Sequence, residues 1–221
     1  GFSFTVMALE WMYLRHRRFK WYDYAGILIA ILFLDRTANS RTAELLMLGI
    51  LAVELFCMYF EKKKPDLNLY KLCGAGCWIA LIADIGFFGI AMGLYFFNQP
   101  LWSSLQTTLT SRLRLPGEYF AAHGISLFGS PYNSDIYDYL DILFGYLTLH
   151  LGVMIAAIVL VLFIIAIIYG YRKKDEKYLI LLLFVLLRST VESEHLNLIY
   201  SWFPVLLGMA VWGIREKTLE I

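Results

Sequence analysis

CGAGCWIALIADIGFFGIAMGLYFF, residues 73–97, is the stretch that decides the fold, and Asp84 is its one charged side chain. At 1.5 Å per residue such a helix reaches about 37 Å, beyond the roughly 30 Å of a bilayer's hydrocarbon core. A second stretch, LTLHLGVMIAAIVLVLFIIAIIYGY at 147–171, holds no Asp, Glu, Lys or Arg. Both read as transmembrane helices.

The rest of the chain fits that reading. Hydrophobic residues make up 60% and charged residues 17% of the sequence, where a soluble domain carries about a quarter charged. Mean hydropathy is +0.63. The charges fall in short clusters between apolar runs, which excludes a soluble domain. Further spans are predicted at Gly1–Leu14, Trp21–Leu34, Glu44–Phe60, Tyr178–Val191 and Leu196–Ile214. The segments 21–34 and 178–191 are short for a full crossing and need flanking residues or local thinning. The expected fold is all-α, a polytopic bundle of about six or seven spans with one long extracytoplasmic loop. Three regions follow: helices in 1–97, the loop 98–146, and helices with a cytoplasmic tail in 147–221. Gly1 lies inside an apolar stretch, so the expectation is a C-terminal portion of a longer protein, its first helix truncated.

Basic residues set the predicted orientation. With the cluster Arg15, Arg17, Arg18, Lys20 placed inside, the inner loops also take Lys62, Lys63, Lys64, Lys71, Arg172, Lys173, Lys174, Lys177, Arg215 and Lys217. The five left for the outer side, Arg36, Arg41, Arg112, Arg114 and Arg188, are all arginines. Arginine's planar fork grips phosphate or carboxylate bidentately, as lysine does not. His123, His150 and His195 also fall on or near that side. An outer face of this kind suits an anionic, lipid-linked substrate.

The loop 98–146 is the longest connection. In LWSSLQTTLTSRLRLPGEYF (101–120), leucines at 101, 105, 109 and 113 recur every four residues, predicting an amphipathic helix. Arg112 falls within that stripe and Arg114 on the opposite side. An inward Arg112 needs a counter-charge: a bound anion, or an ion pair to Glu118 or Asp141. Beyond it, Gly124, Gly129 and Pro131 punctuate a turn. Asp138 and Asp141 share a helix face. They can act as a carboxylate pair for general-base work or form the acidic first turn of a membrane helix.

Those residues resemble the outer-loop pattern of Wzy-type polysaccharide polymerases, relatives of the O-antigen ligases. The resemblance runs through Thr110-Ser111-Arg112-Leu113, Gly124-Ile125-Ser126-Leu127-Phe128-Gly129, Asp138-Tyr139-Leu140 and Gly145-Tyr146. Upstream, Asn39-Ser40-Arg41-Thr42 is similar to the family's small-Ser-Arg motif, and Glu192, Glu194 and Asn197 stand where it has a short outer loop. Gly1-Phe2-Ser3 departs from the pattern by continuing Phe4-Thr5-Val6 in place of His-Pro-Asn.

The resemblance implies a metal-independent glycosyltransferase without cofactor. It would join lipid-linked oligosaccharide repeats on undecaprenyl pyrophosphate into capsular, exo- or O-antigen polysaccharide, at the outer face of a bacterial cytoplasmic membrane. Expected partners are that substrate, membrane lipid, and the flippase and chain-length regulator of the pathway, with no nucleic acid. Arg112 and Arg41, joined by Arg188, would hold the pyrophosphate, with Arg114, Glu192 and Glu194 also among the residues binding the pyrophosphate-linked glycan; His123, Asp138 or Asp141 would take the hydroxyl proton. A ligase of the same superfamily is one alternative. A transporter or flippase is another, in which Asp84 and Glu54 carry coupling ions; carboxylates at such depth are expected to be partnered or protonated. Gly86, Gly89 and Gly93 are expected to let helices approach closely, and Cys57, Cys73 and Cys77 to act as packing residues.

Overall fold

The computed structural model describes residues 20–37, 44, 47–49, 51–53, 55–56, 58–59, 68–97, 114–130, 143–189 and 206–212. Side chains at 34, 35, 37, 91, 94, 95, 114 and 115 are outside that description. Among the described residues the regular structure is helical and there is no strand.

The described residues include, in chain order, α1 (Trp21–Thr37), α2 (Leu69–Phe97), α3 (Arg114–His123), α4 (Leu143–Tyr146), α5 (Val153–Lys173) and α6 (Glu176–Ser189), with a π-helical turn at Leu147–Leu151 between α4 and α5. Residues 44–59, where described, and 206–212 are helical too. Among the described residues two helices, over Leu69–Ile90 and Val153–Lys173, are long and apolar enough to cross a membrane. Only 33% of each is buried within the protein. The core helix of a soluble protein would be mostly covered; here Ile79, Ile82, Ile85, Ile158 and Val161 face outward. Uncovered apolar surface of this extent marks an interaction surface, for a membrane or for another protein.

α2 and α5 run antiparallel. Tyr70 packs edge-on against Tyr171 at one end, with ring centroids 5.5 Å apart, and Phe88 packs against Tyr119 and Leu149 towards the other. α6 returns alongside α2: the Cys77 thiol donates to the Leu179 carbonyl at 3.2 Å, and Ser189 meets Asp84 further along. The core between them is Cys77, Ala80, Leu81, Phe163, Ala166, Leu179 and their neighbours. Cys73 and Cys77 are both buried in this core.

The α5–α6 connection is tight for a local reason. Lys174 adopts a left-handed conformation (φ 54°), which ends α5. Asp175 then caps α6, its Oδ1 accepting from the Tyr178 N–H at 3.0 Å.

Three expectations are corrected. The span predicted at Leu147–Tyr171 is interrupted: Gly152 (φ 94°) separates the π-helical turn from a helix that begins only at Val153. Unbroken hydropathy concealed that break. Gly86, Gly89 and Gly93 admit no close neighbour, for a Cβ there would meet nothing within 4 Å. The close approaches fall instead at Gly74, where a Cβ would lie 2.9 Å from the Tyr171 ring, and at Gly170, 2.6 Å from Tyr178. The span predicted from Cys73 starts at Leu69, because Leu69 and Tyr70 join the core at that end. The leucine-stripe helix at 101–113 and Glu54 lie outside the described residues.

Candidate functional site

Polar and titratable side chains gather at the end of the bundle away from Lys71, Arg172, Lys173 and Lys174. α3 brings Tyr119 there, fully buried. Pro116 falls within the first turn of the described helix, where a missing N–H removes no intrahelical bond. α3 stops at Gly124, whose N–H bonds to the Phe120 carbonyl at 2.7 Å with φ 69°, a left-handed cap suited to glycine. Phe96 anchors the helix edge-on against Phe120 at 5.0 Å.

The segment 124–130 then closes over the start of α5. The Val153 N–H donates to the Ser126 carbonyl at 3.1 Å and the Met154 N–H to Leu127 at 3.2 Å. These satisfy first-turn donors that a helix leaves without internal partners. The Ser130 N–H donates to the His150 carbonyl at 3.2 Å. Gly129 (φ 91°) and Gly152 (φ 94°) face each other across this contact. A Cβ on Gly152 would lie 2.7 Å from the Phe128 carbonyl carbon. The glycines of Gly124-Ile125-Ser126-Leu127-Phe128-Gly129 thus serve a backbone clasp.

The clasp and the π-helical turn place His150, only 8% exposed, against Tyr119. The Tyr119 hydroxyl and His150 Nδ1 are 3.1 Å apart. The rings stack at a tilt with centroids 4.5 Å apart, Tyr146 flanks His150 at 5.1 Å, and His123 flanks Tyr119 at 4.7 Å. His123 itself is exposed. Burial first, and then the neighbouring His123, hold His150 below the ordinary imidazole range. A neutral imidazole bonded to a phenol, beside a solvent-facing imidazole, can accept a proton from a hydroxyl brought to it.

Of the residues singled out from the sequence, the structure brings His123 into this cluster, at the C-terminal end of α3. Arg114 begins the same helix. Arg188 is buried in the last turn of α6, one residue before Ser189 and level with Asp84. Arg36 is exposed in the last turn of α1. Arg41, Arg112, Asp138, Asp141, Glu192 and Glu194 lie outside the described residues. Tyr119 and the Tyr119–His150 pairing were missed as chemistry. The available signal was the polar His150 in a leucine-rich run, a residue with reason to find a partner. No group of three or more potential metal ligands occurs among the described residues.

No family model, curated protein or solved structure matches this chain.

Proposed function

We propose that this chain is the membrane-embedded catalytic portion of a glycosyltransferase that polymerises undecaprenyl-pyrophosphate-linked oligosaccharide repeats, with six or seven spans and the clasped loop facing outward. The carrying observation is the Tyr119–His150 hydrogen bond at 3.1 Å with His123 beside it. It lies next to Gly124–Gly129, one of the stretches that carry the resemblance to Wzy-type polymerases.

Such a transfer needs two things of its protein. An acceptor hydroxyl oxygen attacks the anomeric carbon while the bond from that carbon to the pyrophosphate oxygen breaks. The hydroxyl proton goes to a base, and the diphosphate departs as an anion. The imidazole cluster supplies a base with a neutral ring. Arg112 and Arg41, with Arg114 and Arg188, supply the planar cations for the leaving group.

The experiment is chain growth by the full-length protein in membranes with a synthetic undecaprenyl-pyrophosphate repeat, products separated by size. A ladder of lengthening glycans is expected, lost in Arg112→Lys, which keeps charge without the fork. A single transfer to a different acceptor would replace the polymerase with a ligase. Absence of transfer would shift the reading to a transporter or flippase of the same pathway, which the buried Asp84 favours.

A further inference from the structure

Asp84 has no part in that chemistry, yet it is wholly buried between 73 and 97, in the body of α2. It lies six residues before Ile90, the end of the apolar span, or about 9 Å along the axis. Ser189 of α6, also wholly buried, meets it.

The arrangement poses a proton-counting problem. Ser189 Oγ lies within hydrogen-bond reach of Asp84 Oδ2 and, at 2.5 Å, of the Leu186 carbonyl oxygen. A hydroxyl carries one proton. Were Asp84 a carboxylate, that proton would serve one contact and leave two bare oxygens pressed together in the other. A neutral Asp84 removes the conflict: Oδ2–H donates to Ser189 Oγ, and Ser189 O–H donates to Leu186. Oδ1, which has no hydrogen-bond partner among the described residues, is then a neutral carbonyl oxygen. Burying that costs far less than burying half a carboxylate.

Among the described residues, the polar partner at the carboxyl is Ser189. Facing α2 are Arg188 on α6, Glu118, Tyr119 and His123 on α3, and His150 on the π-helical turn; the basic residues of α5 lie at the far end. Of the described groups, Ser189 is the one within hydrogen-bond reach of Asp84.

We propose that Asp84 and Ser189 form a proton-binding site inside the membrane, in which the proton on Asp84 joins α2 to α6. Removing it would draw the Ser189 O–H to the carboxylate and leave no proton between Ser189 Oγ and the Leu186 carbonyl oxygen, so the Ser189 contacts that seat α6 on α2 depend on occupancy. The site stands independently of the transferase reading.

The test is infrared spectroscopy of the full-length protein in lipid nanodiscs, with aspartate carboxyls carbon-13 labelled, across pH. A labelled carboxylic acid band is expected to persist at neutral pH, to vanish in Asp84→Asn and to shift in Ser189→Ala. Should Asp84→Asn not fold, the wild-type band and its displacement in Ser189→Ala decide the matter. A neutral-pH spectrum with labelled carboxylate bands alone would overturn the proposal. So would a carboxylate band at Asp84 that responds to sodium, which would make the site one for a metal cation.

Discussion

The Tyr119 hydroxyl lies 3.1 Å from His150 Nδ1, tying α3 to the π-helical turn that leads into α5. That hydrogen bond adds a side-chain tie to the backbone clasp at the start of α5, an apolar helix long enough to cross a membrane. Tyr119→Phe keeps the ring contacts and removes the hydroxyl, leaving a buried imidazole nitrogen without its partner. The expected loss is about 1–3 kcal/mol of stability, read from denaturant unfolding in detergent. An unchanged midpoint would show that the bond contributes nothing.

The same pair sets a pH dependence. Burial and then His123 make the folded protein bind a proton at His150 less readily than the unfolded chain, where imidazole titrates near 6.5. Folding therefore excludes a proton, so stability is complete above that value and declines as pH falls below it. Thermal midpoints between pH 8 and pH 5, taken as about the window around an ordinary imidazole, are expected to fall on the acid side. His150→Gln, which cannot titrate, should flatten the curve. A wild-type midpoint that rises in acid would contradict the assignment.

Glycine substitutions separate the clasp from the open face of α2. Gly129→Ala and Gly152→Ala place a Cβ into facing backbone at positive φ. Each is expected to cost more than the roughly 1–2 kcal/mol of left-handed strain alone. Gly89→Ala meets open space and should be neutral or stabilising by up to about 1 kcal/mol. Unfolding of the three variants side by side checks the ranking, and equal effects would refute it.

Asp175 offers a smaller, cleaner change. Asp175→Ala removes the acceptor for the Tyr178 N–H and is expected to cost about 1 kcal/mol. Asp175→Asn, which keeps a capping oxygen, should recover most of it. The unfolding midpoints of both variants provide the measurement.

How far the sequence could be read depended on the range of the interaction. The long apolar runs within 73–97 and 147–171 are legible because hydropathy is a property of composition alone. Their ends were less legible. Leu69 joins α2 by packing into the core, and α5 starts late because Gly152 turns to meet Gly129. Glycine spacing on α2 suggested close contacts at 86, 89 and 93, but spacing does not say which face meets a neighbour. His123 was named from its place in the loop, whereas its partners Tyr119 and His150, 31 residues apart, share no local pattern.

By itself the sequence determined that this is a helical chain with segments long and apolar enough to cross a membrane. It also clustered the basic residues Lys71 and Arg172–Lys174 at the ends of the apolar runs. Hydropathy and helix length act residue by residue, so no neighbour is needed to read them. The tertiary structure alone decided that His150 meets Tyr119, that Gly129 meets Gly152, and that Asp84 meets Ser189, 105 residues away. Those contacts join segments through backbone turns and helix faces, and their geometry exists only once the helices have packed.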